Sequence, residues 1–237
     1  MKRLLPIVLF AVAAHAHDFW IEPSTFRPEP GKTFTASLLV GQELEGDPVP
    51  RSTSLLDSFV VRCAAGEQAV GGFENQDPAG FVRLDAAGTA VIGYRSKPAL
   101  LEQTPEKFAQ FLREEGIDGV TPSSRPHKER FYRYAKSIVQ VGRPTSLPKP
   151  FGWRLELVPL ANDGYQLLFE RKPLPNATVI ALSADGRRLT ARTNANGRVD
   201  LKLGKGIWLL KSTRLVAAPA DSGAEWESLW ASLTFER

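Results

Sequence analysis

Beyond residue 16 the chain alternates short apolar stretches with turn residues, a tempo that predicts strands with one helical interruption. Thr33 to Val40, Ser58 to Arg62, Phe81 to Leu84 and Thr89 to Tyr94 are rich in β-branched or aromatic residues and bounded by Gly, Pro or Asp, as strands are. A second series runs from Leu155 to Leu160, Tyr165 to Arg171, Thr178 to Ser183, Leu189 to Arg192, Arg198 to Leu203 and Trp208 to Ser212. Asn162-Asp163-Gly164, Asp185-Gly186 and Asn196-Gly197 separate most of these, and such pairs supply the positive φ of tight hairpins. The apolar residues Trp226, Trp230, Leu233 and Phe235 form a last segment that closes the second unit.

The helical interruption is Pro105 to Glu115. Thr104 suits its N-cap, Pro105 its first turn and Gly116 its end, while Phe108, Phe111 and Leu112 share a face. Arg125 to Val141 is ambiguous: Phe131, Tyr134 and Ile138 have helical spacing, whereas Val139 and Val141 alternate, and its second half is read as a strand. Between Gly142 and Gly152 lie three prolines, which cannot donate to a β-ladder. The expected organisation is therefore mainly β: a β-sandwich at 17–142 with a helical insertion, a linker at 143–152 and a second β-sandwich at 153–237.

Residues 1–16 carry a different pattern. Lys2 and Arg3 precede an apolar run from Leu4 to Ala14, and Ala14-His15-Ala16 is a small-x-small cleavage site. This reads as a secretory signal peptide, too short to span a bilayer. Export to the periplasm is the expectation, with no transmembrane segment in the mature chain. Loss of Lys2 and Arg3 lowers the formal charge of +4 by two, which removes the main support for nucleic-acid binding through net charge. Arg130, Arg133 and Lys136 interleave with Phe131, Tyr132 and Tyr134; in an exported β-protein they read as snorkelling cations on a strand.

The cleavage site also carries the chain's most informative chemistry. A cut after Ala16 makes His17 the first residue, and an N-terminal His offers an α-amine and an imidazole as adjacent nitrogen ligands. A cut after Ala14 would instead place His17 third, behind His15 and Ala16, where amine, amides and imidazole can surround a square-planar metal. Nitrogen donors in such arrangements suit Ni(II) or Cu(II). Asp18 is the adjacent carboxylate. His127, the only other imidazole of the mature chain, lies in the polar run Ser123 to Arg130, which reads as a solvated loop, and is the candidate distant ligand. No GxSxG elbow or diagnostic carboxylate pair appears, the single Cys63 excludes an internal disulfide, and no catalytic function is expected.

His17-Asp18-Phe19-Trp20, Phe26-x-Pro28-x-x-Gly31, Val40-Gly41, Arg133-Tyr134-Ala135-Lys136, Gly206-x-Trp208-Leu209 with Lys211, and Trp226-x-Ser228-x-Trp230 through Phe235 resemble a bacterial exported family. It is a domain-of-unknown-function family associated with nickel and cobalt uptake. The resemblance implies two immunoglobulin-like or prealbumin-like sandwiches in a periplasmic protein serving a membrane metal importer. It implies nickel or cobalt as the bound ion, with His17 as ligand and Asp18 as helper, and copper is the further candidate that the nitrogen donors alone suggest. Many members carry a His two or three residues after the Trp-Leu-x-Lys segment, where this chain has Thr213 and Arg214. Three classes stay open: metal-capturing accessory protein, structural or interaction module of the envelope, and copper enzyme using His17 with His127.

Overall fold

The computed structural model describes residues 17–145, 147, 149–160 and 164–237. Residues 1–16, where a signal peptide and its cleavage site are expected, and the Asn162-Asp163 part of one expected hairpin lie outside the described residues. The first half contributes β1 (Asp18–Pro23), β2 (Thr33–Gln42), β3 (Glu45–Pro48), β4 (Leu56–Cys63), β5 (Gly66–Ala69), β6 (Gly80–Arg83), β7 (Gly88–Ser96), β8 (Ala99–Gln103), helix α1 (Pro105–Glu114) and β9 (His127–Val141). The second contributes β10 (Leu155–Pro159), β11 (Gly164–Phe169), β12 (Lys172–Pro173), β13 (Thr178–Ser183), β14 (Arg188–Arg192), β15 (Arg198–Asp200), β16 (Ile207–Ala217) and β17 (Trp226–Glu236). The protein is mainly β and sandwich-like, with one short helix, as its alternation and turn residues predict.

Nine strands form a central sheet in the order β14-β13-β16-β17-β9-β7-β4-β5, with β8 pairing the start of β9. Two four-stranded sheets cover it: β1, β2, β3 and β6, and β10, β11, β12 and β15. Side-chain alternation assigns them to opposite faces. From β9, Tyr134 joins the core formed by Leu155, Leu157, Leu167, Trp208 and Leu210. Ala135, Val139 and Val141 of the same strand join Phe34, Leu38, Val61 and Ile92.

The two halves are interlocked. None of the described residues of segment 143–152 belongs to a strand, and each half has its own small sheet and core. Yet β17 pairs in parallel with β9, Trp226 to Thr234 against Glu129 to Ser137, so strands from both halves belong to one sheet. From β1, Trp20 is fully buried against Ile180, Leu182 and Leu209 of the second half, and the Thr234 hydroxyl donates to the Ile21 carbonyl at 2.6 Å. Gly46 permits this packing, since a Cβ there would lie 2.6 Å from the Trp20 ring.

β9 is a strand over all fifteen residues, including the part with helical spacing. It is flanked by β7 or β8 on one edge and β17 on the other and covered on both faces, so apolar residues occupy both sets of alternate positions and the period of two is hidden. The interleaved cations of this strand separate by environment. The Lys136 ammonium is buried and donates to Glu156 Oε1 at 2.9 Å, while Arg130 lies over the Tyr132 ring. Glu156 also accepts the backbone amides of Phe151 and Gly152 at 2.8 Å each, which ties the proline-rich connection to β10.

Helix α1 packs on the same face as β1. Thr104 caps it, its hydroxyl accepting from the Lys107 amide at 3.4 Å, and Phe108, Phe111 and Leu112 are buried beside Leu215 and the partly buried Trp226 and Trp230. Gly116 follows with φ +61°, and a Cβ there would approach Thr178 Oγ1 to 2.6 Å. The helix end and β16 are thereby brought together with the first residue of β1.

Candidate functional site

At this meeting point three charged side chains leave water together. Lys211 Nζ donates to Asp18 Oδ1 at 2.5 Å and to Glu115 Oε1 at 2.7 Å. The Thr213 hydroxyl donates to the second oxygen, Glu115 Oε2, at 2.7 Å. Side-chain exposures are 11% for Lys211, 5% for Asp18 and 2% for Glu115. Each position follows from the local fold: β1 starts at Asp18, Lys211 and Thr213 alternate with core residues along β16, and Glu115 is the C-cap of α1. A carboxylate at a helix C-terminus opposes the helix dipole, and the Lys211 ammonium offsets that penalty.

The electrostatics are those of two acids competing for one cation. Burial raises the Asp18 pKa to about 6, Lys211 pulls it down and Glu115 pushes it up. For Lys211, burial works against the charge, yet Glu115 and Asp18 together hold its pKa above the ordinary lysine value. Beside this cluster opens a cavity of about 340 Å³ lined by Asp18, Gln42, Glu43, Glu114, Glu115, Arg188 and Lys211. Four carboxylates face two cations, so its lining is acidic. On the same lining, Arg188 donates to Glu43 Oε1 at 2.6 Å.

His17 is partly buried and immediately precedes β1. Strand alternation continues the Phe19 side of β1 toward His17, whereas Asp18 points to Lys211. The sequence pair His17 and Asp18 is thus placed together, on adjacent positions with opposite directions.

His127 belongs elsewhere. Expected in a solvated loop, it opens β9 and is 3% exposed. Its ring stacks on Phe108 with centroids 4.1 Å apart. Nε2 accepts the Ser123 amide at 3.1 Å, which leaves Nδ1 to donate to Glu225 Oε2 at 3.0 Å. Lys211 pairs with Ser232 and Ser232 with Ala135, eight residues along β9 from His127, or about 26 Å at the usual strand rise. The structure therefore does not bring His127 to His17: its stacking and hydrogen bonds make it a packed histidine under the helix. Among the described residues no group of three or more His, Cys, Asp or Glu side chains is arranged to hold a metal ion.

Sequence reasoning missed Glu115 as a member of the site. Lys211 was visible only as part of the Trp-Leu-x-Lys resemblance, and Thr213, at a position noted for lacking a His, turns out to be the hydroxyl that holds Glu115.

The family profile described as a domain of unknown function, DUF4198, matches residues 14–214. No curated protein matches the chain. A solved structure described as the D0-D1 domain of intimin aligns with 93% of this chain and 98% of its own length, at 13% identity and a TM-score of 0.21, too loose a likeness to support an argument. No helix among the described residues is long and apolar enough to cross a membrane.

Proposed function

The chain belongs to the DUF4198 family, and from that membership and the acidic cavity beside its first strand we propose that it is an exported, periplasmic accessory protein, not an enzyme, that captures a divalent metal. Nickel or cobalt is the cargo the reading favours, with copper as a further candidate, and a membrane importer is the recipient. One observation carries it: β1 begins at Asp18, so a cut after Ala16 places the α-amine of His17 one residue before a carboxylate that lines an acidic cavity, with the imidazole on the opposite side of the strand. The cavity attracts cations, and nitrogen donors select late transition metals from among them. Asp18 serves as a helper through charge, since its Oδ1 is already held by Lys211.

A second reading, a structural or interaction module of the envelope, is favoured by the closure of the Asp18, Lys211, Glu115 and Thr213 network, which joins β1, the end of α1 and β16 as a structural polar cluster does. Calorimetric nickel titration separates the two. The processed protein is expected to bind at least tenfold more tightly than His17→Ala or a form with one extra residue before His17, because each loses half of the amine–imidazole chelate. Affinity should fall as pH drops through about 8 to 6.5, where amine and imidazole protonate. His127→Ala should leave affinity unchanged. Equal binding by all forms, or binding by none, would leave the structural module in its place.

A further inference from the structure

Arg133 sits in the middle of β9 with its guanidinium 4.6 Å from the centroid of the Phe19 ring and 5.4 Å from that of Phe131. It is partly exposed. Among the described residues its guanidinium makes no hydrogen bond and no ion pair; only its backbone amide is used, donating to Ser96 Oγ at 2.9 Å. Burial lowers its pKa to about 10, with Tyr94 and Asp18 acting in the opposite direction at longer range. Tyr94 in turn feels the positive charges of both Arg133 and Arg51. A guanidinium held between two rings, half-buried and without an ion-pair partner in contact among the described residues, is prepared for a planar anion, because its fork of N–H donors matches a carboxylate.

Its position gives this a meaning for the proposed capture site. Arg133 stacks on Phe19, and Phe19 is two residues from His17, which immediately precedes β1, about 7 Å away at the usual strand rise. A metal on the His17 amine and imidazole would have used two positions of a tetragonal plane, leaving others open. A bare divalent ion there would be repelled by Arg133, whereas a metal carrying a carboxylate ligand would bring the missing counter-ion.

Resting on the metal-capture reading, we infer that the cargo is a small carboxylate chelate of the metal, with Arg133 gripping the carboxylate. Oxalate is a suitable probe, since two of its oxygens can chelate a metal while the other two face a guanidinium. The experiment is equilibrium dialysis of radiolabelled oxalate against processed protein, nickel-loaded and metal-free, with nickel counted in the same samples. Nickel-loaded protein is expected to retain about one equivalent of oxalate, at least tenfold more tightly than metal-free protein or nickel-loaded Arg133→Gln, with Arg133→Lys between them. Circular dichroism and nickel retention confirm that each variant is folded. Equal oxalate binding by wild type and Arg133→Gln, or loss of nickel to the dialysate as its oxalate complex, overturns the carboxylate inference while nickel titration without oxalate still supports capture. Failure of the processed protein to hold nickel in oxalate-free buffer overturns the capture reading and this inference with it.

Discussion

Lys211→Met is expected to lower the unfolding free energy by about 3–5 kcal/mol at pH 7, the cost of removing one partner from a buried ion pair. Methionine fills much of the space but leaves Asp18 and Glu115, both buried, without the ammonium that Asp18 Oδ1 and Glu115 Oε1 share. Protonation of Asp18, whose pKa burial raises to about 6, relieves the repulsion, so the deficit should shrink as pH falls from 7 to 5. Adding Asp18→Asn should restore part of the loss, since one charge then remains to be buried. Urea unfolding curves at the two pH values give the answer. A loss below about 1 kcal/mol, the size typical of exposed ion pairs, would mean that the cluster is solvated and that the network does not hold β1 to β16.

Glu129 should make stability depend on pH in the opposite sense from an ion-paired acid. It is 1% exposed in β9, and burial raises its pKa to about 7, offset only in part by Ser228 and Gln103. Between about pH 4.5 and 7 the folded protein keeps a proton that the unfolded chain has released, so unfolding free energy falls as pH rises through that window. The loss is complete above about pH 7 and is on the order of 3 kcal/mol at most, at about 1.4 kcal/mol per pKa unit. Glu129→Gln, a neutral isostere, should therefore match wild type near pH 4, below the unfolded value, and exceed it by about 2–3 kcal/mol at pH 8. Parallel stability curves for the two proteins across this range would show that Glu129 ionises at its ordinary pH in the folded state.

What the sequence discloses about this fold follows local chemistry. The helix is legible because Thr104, Pro105 and Gly116 mark its ends and three apolar residues share one face. Thr178–Ser183 is legible because β-branched residues lie between turns. β1 is read for its chemistry instead of its conformation: Phe19, Trp20 and Ile21 are all buried, so no alternation announces a strand. The joining of β9 to β17 leaves no local mark, because parallel pairing between residues nearly a hundred positions apart needs no turn.

The site divides in the same way. His17 and Asp18 draw attention through their position after a run that reads as a cleavage signal, which is local information. Their surroundings come from distant segments, since Lys211 is 193 residues from Asp18 and 96 from Glu115, and each charge alone reads as a solvated one. His127 misleads for a related reason. Its neighbours Ser123, Ser124, Arg125, Pro126 and Lys128 have loop composition, while its burial depends on Phe108 above it and Glu225 beside it, neither of them near in sequence.

The central claim, that the amine and imidazole of a processed His17 together hold a late transition metal, is tested most directly by electron paramagnetic resonance of one equivalent of Cu(II). The processed protein is expected to give a single tetragonal signal with nitrogen hyperfine splitting from two donors, reduced by His17→Ala to the amine alone and altered by one added residue before His17. A spectrum identical in all three proteins, or one without nitrogen splitting in the processed form, would contradict it.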